Sequence, residues 1–294
     1  MVRAIERIER ELAVLQEAIQ AIARELQMAY ASYLAALGQA LRKQLILASY
    51  HLCTQGYPEN FLKLSLNQRQ QLQQSIRKLG QKAAEILISS LMSQEDEEDE
   101  KDEENVEEIA ISTETTEGEI PSEISSSASE SVKHSSPQTY IVETSNPIEL
   151  AKWQQHLEVQ MQHTLRKVSH EANLILQNAG ILPQKLPEPV LEAAAAAASE
   201  GSAEMMPGPP NILNLVLEIA DEQDTEKSGL TQIMTINLRL GEIEFADTTV
   251  ANHRKQIREI LGQLNKLGRE YQKKQRERSI AEAEAAWRAS WYED

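Results

Sequence analysis

The stretch IERIERELAVLQEAIQAIAREL, residues 5–26, decides the fold. Ile5, Ile8, Leu12, Leu15, Ile19, Ile22 and Leu26 recur at alternating steps of three and four. That spacing lines one seam of an α-helix with apolar side chains at the a and d positions of a heptad pattern. Glu6, Arg7, Glu9, Arg10 and Glu11 flank the seam with charge. The stripe continues through Tyr30, Tyr33, Leu37, Leu41 and Leu45, with an extra step near Leu26–Tyr30 that reads as a stutter. Gly56 and Pro58 predict an end near Leu52. About fifty residues of helix span about 75 Å, and such a helix cannot bury its seam alone.

The next segment offers a partner. Ser65 and Gln68 form a capping-box pattern, and Leu72, Ile76, Leu79, Ala83 and Ile86 repeat the heptad steps. Residues 1–92 therefore read as a helical hairpin. Its second helix is about half as long as the first, so another chain or another segment must cover the remainder.

Farther out, order alternates with its absence. Residues 93–146 hold 17 acids and 2 bases, with few apolar residues and no period, and read as a disordered acidic linker. Asn146, Pro147 and Glu149 then signal a helix start. Leu150, Trp153, Leu157, Met161, Leu165, Val168, Ala172 and Ile175 share one face, and Gly180 and Pro183 end it. This helical segment is placed at 147–200, with a short second helix through Ala193–Ala198. Residues 201–248 open as a loop and change to period two. Leu213, Leu215, Leu217 and Ile219 share one face with Asn214 and Glu218 opposite, and Met234, Ile236, Leu238 and Leu240 share one with Thr235, Asn237 and Arg239 opposite. Two strands over Ile212–Ile219 and Thr231–Leu240 make a β-hairpin, though Leu240–Phe245 also fits a helix. A lone hairpin is marginal in water, so this one must pack on a helix or extend across a dimer. The last helix, 249–294, starts near Asp247 or Thr248 and carries Ile257, Ile260, Leu264, Leu267 and Tyr271 at heptad steps. Ile280, Trp287 and Trp291 resume apolar character after a polar interruption. The fold class is mainly α: a long N-terminal helical hairpin, a long C-terminal helix and a small β-hairpin before it.

Composition agrees. Aromatic residues make up 4% of the chain, too few for a large compact core but ordinary for long helices. The net charge of −17 is concentrated in residues 93–146, which carry −15, whereas 1–92 carry +4 and 249–294 carry +3. Cys53 has no intramolecular disulfide partner, which suits a reducing, cytoplasmic compartment. No signal peptide and no spanning apolar run is legible.

Chemistry-bearing residues do not assemble into a recognisable site. His156, His163 and His170 lie seven apart, and each step is about 10.5 Å along a helix, too far for one metal ion. His51 and Cys53 would point to different sides of a helix end, so a packing role for Cys53 is expected. No phosphate-cradling glycine loop or metal motif occurs. No catalytic residue, cofactor or metal is assigned, and no small-molecule substrate is expected. Lys266, Arg269, Lys273, Lys274, Arg276 and Arg278 form a basic stretch interspersed with Glu259, Glu270 and Glu277. That stretch fits a balanced coiled-coil face, with nucleic acid or an anionic membrane surface as alternatives. Trp287 and Trp291, one turn apart, either close the end of the helical bundle or dock a partner, and closure is preferred.

The segments YHLCTQGYPE (50–59) and IAEAEAAWRASW (280–291) resemble parts of uncharacterised cyanobacterial helical proteins. The resemblance implies a cyanobacterial cytoplasm and no activity. The expected function is a non-enzymatic structural or adaptor protein. It would associate with a protein partner, including another copy of itself, through the seams Ile5–Leu26 and Ile257–Tyr271 and the Trp pair.

Overall fold

The computed structural model describes residues 2–91, 145–183, 209–219 and 229–291. The expected acidic linker, apart from its last two residues, and the expected helix through Ala193–Ala198 lie outside them. Helix α1 (Val2–His51) runs into a π-helical turn (Leu52–Gly56), followed by a short α2 (Pro58–Lys63) and by α3 (Leu66–Ser89). Next come α4 (Pro147–Asn178), strands β1 (Ile212–Ile219) and β2 (Gly229–Ile236), α5 (Leu240–Ala246) and α6 (Thr248–Ser290).

The helix ends obey local chemistry. Ser65 accepts a hydrogen bond from the Gln68 amide at 3.3 Å while its own amide donates to Gln68 Oε1 at 2.8 Å, the reciprocal capping box. Asn146 accepts from the Ile148 amide and Asp247 from the Thr249 amide, each at 3.0 Å. At the end of α4, Gly180 takes φ +76°. The Ile181 amide donates back to Leu176 O and the Gly180 amide to Gln177 O, which satisfies carbonyls the helix leaves open.

Helices α1, α3, α4 and α6 pack in an alternating up-and-down arrangement. Gly38 abuts Ala84, and Gly80 abuts Arg42, so α3 runs antiparallel to α1. Glu11 pairs with Lys274 and Lys43 with Asp247, so α6 is also antiparallel to α1. The part of α1 beyond α3 is therefore covered from within the chain by α6 and, as far as Ile19, by α4. Tyr30, Tyr33, Leu34, Leu37 and Leu41 are completely buried at the centre.

The hairpin packs on helices, as its marginal stability requires. Beyond β1, the outer edge of β2 meets side chains instead of a third strand. Tyr57 Oη accepts from the Met234 amide at 3.0 Å, Asn173 bonds both Ile236 N and O, and Ser169 Oγ accepts from the Leu238 amide at 2.9 Å. Asn211 holds a left-handed conformation (φ 61°), accepts from the Arg239 amide at 3.0 Å and donates to Gln44 Oε1 at 3.2 Å.

One connection carries a helical turn of its own, and one strand boundary differs from expectation. The connection over 55–64 is partly helical, because Pro58 is preset for a first helical position and Glu59 suits a first turn. The second strand stops at Ile236 and Leu240 begins α5, the helical alternative for Leu240–Phe245. The strict alternation also fails in β2, where Thr235 is as buried as Ile236, so both faces are covered there.

Candidate functional site

The seam of α6 contains one charge. Val250, Arg254 and Ile257 follow steps of four and three, so Arg254 stands where an apolar residue belongs. Its side chain is 11% exposed. Nε donates to Glu244 Oε1 of α5 at 2.6 Å. The two terminal nitrogens fork onto Glu158 of α4, Nη2 reaching Oε2 at 3.1 Å. Nη2 also donates to the Tyr33 hydroxyl of α1 at 2.8 Å. Tyr33 in turn donates to Glu244 at 2.6 Å, and Tyr30 to Glu158 at 2.7 Å. Tyr30 meets Tyr33 and Trp153 edge-to-face, with ring centroids 6.3 and 5.6 Å apart.

This cluster joins α1, α4, α5 and α6 through one planar, bidentate donor, which lysine could not imitate. Burial disfavours the Arg254 charge, but hydrogen bonds to Glu158 and Glu244 outweigh it and hold the guanidinium above its ordinary pKa. Burial likewise raises Tyr30 and Tyr33, with the carboxylate acceptors adding to the effect. Through these hydrogen bonds the cluster braces four elements against one another. It also opens onto neither groove described below.

The raised groups set an alkaline limit. Cys53 is pushed up to about 11 by burial, and Tyr57 is raised by burial as well. A group whose folded pKa is raised contributes stability that is full below its unfolded pKa and is lost as pH climbs toward the folded value. Stability should therefore hold through neutral pH and fall above about 9 to 10, the ordinary thiol and phenol range. Ellipticity at about 222 nm and phenolate absorbance, followed together on raising the pH, should change cooperatively. Independent titration of each tyrosine with no loss of helix would contradict this.

The expected seam residues are core residues of the single chain. Ile8, Leu12, Ile19, Ile22, Leu26, Ile257, Ile260, Leu264 and Tyr271 are buried, while Ile5, Leu15 and Leu267 are half-buried. The two stripes meet each other. Trp287 and Trp291 do not close the bundle: they are 65% and 68% exposed, with ring centroids 5.9 Å apart. Val2 stands nine residues before Glu11 and so lies level with residue 283, nine after Lys274; both indoles lie past the start of α1.

The pairing of α1 with α6 also outruns the other helices. Pro147, at the start of α4, packs at Gly268, and Gln16 of α1 reaches Tyr271 at 3.4 Å. By this register α4 begins level with Ile19, and α3 ends level with Tyr33. Residues N-terminal to Ile19 thus form a two-helix arm with the second half of α6, about 25 Å long. On its flank lies an open groove of about 570 Å³ lined by Arg7, Arg10, Glu11, Val14, Lys273 and Lys274. A second, apolar groove of about 310 Å³ lies between α1 and α3, among Ile46, Tyr50, Cys53, Phe61, Leu72 and Ile76.

His163 and His170 are exposed and His156 half-buried, all along α4. Among the described residues no three His, Cys, Asp or Glu side chains converge as a metal site. Cys53 is buried, in keeping with a packing role. Among these residues no helix is long and apolar enough to cross a membrane. Sequence reading passed over Arg254, Glu158 and Glu244; a charge on an apolar seam was the available signal. No family model, no curated protein and no solved structure matches this chain.

Proposed function

We propose that this protein is a non-enzymatic structural or adaptor protein acting through helix–helix association, and that the two-helix arm is its contact element. The observation that carries the proposal is the change in burial along α1. Ile19 and Leu26, which lie alongside α4, are completely buried; on the arm Ile8 and Leu12 keep 9% and 5% exposure against α6, and Leu15 and Ile5, in the same seam, are only half-buried. Exposed Val14 lies beside them. Two arms packed side by side supply four helices, the number that closes the seam in the body of the fold. The occupant is therefore a second copy of the chain. Its lone thiol suits work in the cytoplasm.

Sedimentation equilibrium tests this. The full chain should self-associate as concentration rises, and Val14→Lys, which alters an exposed side chain, should weaken association while leaving the melting curve unchanged. A strict monomer at the highest attainable concentration would refute self-association.

A further inference from the structure

We infer that the outer face of α6 docks onto an anionic membrane surface. Lys266, Arg269, Lys273 and Arg276 fall on one line down the helix at steps of three, four and three. The same line continues through Ile280 to Trp287 and Trp291. All of these residues are exposed, because the line lies opposite the Ile257–Tyr271 seam that packs on α1.

Acids flank this line without pairing to it: Glu270, next to Arg269 and lining the same groove as Lys273, makes no ion pair with the four bases among the described residues. Glu277 pairs with Lys274 at 2.8 Å, Glu282 with Arg278 at 3.1 Å and Glu284 with Arg288 at 3.8 Å. Those three bases lie off the line. The four bases on it make no ion pair or side-chain hydrogen bond among the described residues. The balanced coiled-coil reading of this stretch therefore accounts for Lys274 and Arg278 but not for the outer row.

From Lys266 to Trp291 the line runs about 37 Å, a length that a flat surface can touch throughout. Lysine and arginine are drawn to anionic headgroups, and tryptophan settles at the boundary between headgroups and acyl chains. Both indoles are exposed and so are open to such a surface. Two copies meeting along this line would oppose like charges, which disfavours a second copy here. Single-stranded nucleic acid favours aromatics interleaved with bases, whereas here they are segregated at one end.

The full chain should float with vesicles of phosphatidylcholine containing about 30% phosphatidylserine, and not with phosphatidylcholine alone, at about 50 mM salt. About 500 mM salt should release it. Lys273→Ala with Arg276→Ala removes two of the four cations and should lower partitioning about 30-fold. Trp287→Ala with Trp291→Ala should reduce the blue shift of indole emission on binding. Helical ellipticity checks that both variants fold. Absence of flotation, equal flotation with neutral vesicles, or indifference to both variants would overturn the inference. Duplex DNA bound more tightly than the vesicles would assign the line to nucleic acid instead. A monomer that floats would refute self-association and leave this inference standing, and a dimer that does not float would do the reverse.

Discussion

Arg254→Met should lower the free energy of unfolding by about 3–5 kcal/mol, the usual cost of removing one partner from a buried ion cluster. The loss comes less from the missing hydrogen bonds than from what remains. Glu158 and Glu244 would face each other inside the bundle without a cation, their side chains only 23% and 16% exposed. Residual water contact places the expected value toward the lower end of that range. Arg254→Lys should recover little, because a single ammonium cannot fork onto Glu158 while reaching Glu244 and Tyr33. Combining Arg254→Met with Glu158→Gln and Glu244→Gln should restore most of the stability, since the Tyr30 and Tyr33 hydroxyls can still donate to amide oxygens. Urea unfolding followed by circular dichroism measures each step. If Arg254→Met cost less than about 1 kcal/mol, the brace would be no better than an exposed ion pair.

Gly38→Val should cost about 3 kcal/mol, because α1 and α3 touch backbone to backbone there. A Cβ at Gly38 would lie 2.8 Å from Ala84 Cβ and 3.1 Å from Ala84 Cα, and neither atom can rotate away. Even Gly38→Ala should destabilise, although alanine gains about 1 kcal/mol of helix propensity over glycine. Gly262 provides the contrast: its added Cβ meets nothing within 4 Å. Gly262→Ala should therefore stabilise α6 by about 1 kcal/mol. Gly80 falls between them, since its Cβ would meet the flexible Arg42 Cγ at 3.2 Å. Denaturant midpoints that rank Gly38→Ala above Gly262→Ala would contradict a close approach of α1 to α3.

Much of the fold was legible because its signals are local. The capping box at Ser65, the Asn146–Pro147 start and the Gly180 stop each involve residues within a turn or two of each other. The hairpin was legible by its period, but its boundary was not. Thr235 is buried on the face that alternation assigns to solvent, a fact of packing rather than of period. The candidate surface was half legible. The basic residues were plain, yet which of them are paired depends on Glu11, more than two hundred residues away, as well as on neighbours within α6.

The amino-acid sequence by itself determined the helices, their ends and the stripe each must bury, because those follow from interactions three and four residues apart. Tertiary structure alone decided that the α1 stripe closes on α6 of the same chain, that Arg254 becomes the centre of a four-element brace, and that Trp287 and Trp291 stand bare. The physical reason is that burial and charge pairing depend on which distant segments meet, and a heptad names the face to be covered without naming what covers it.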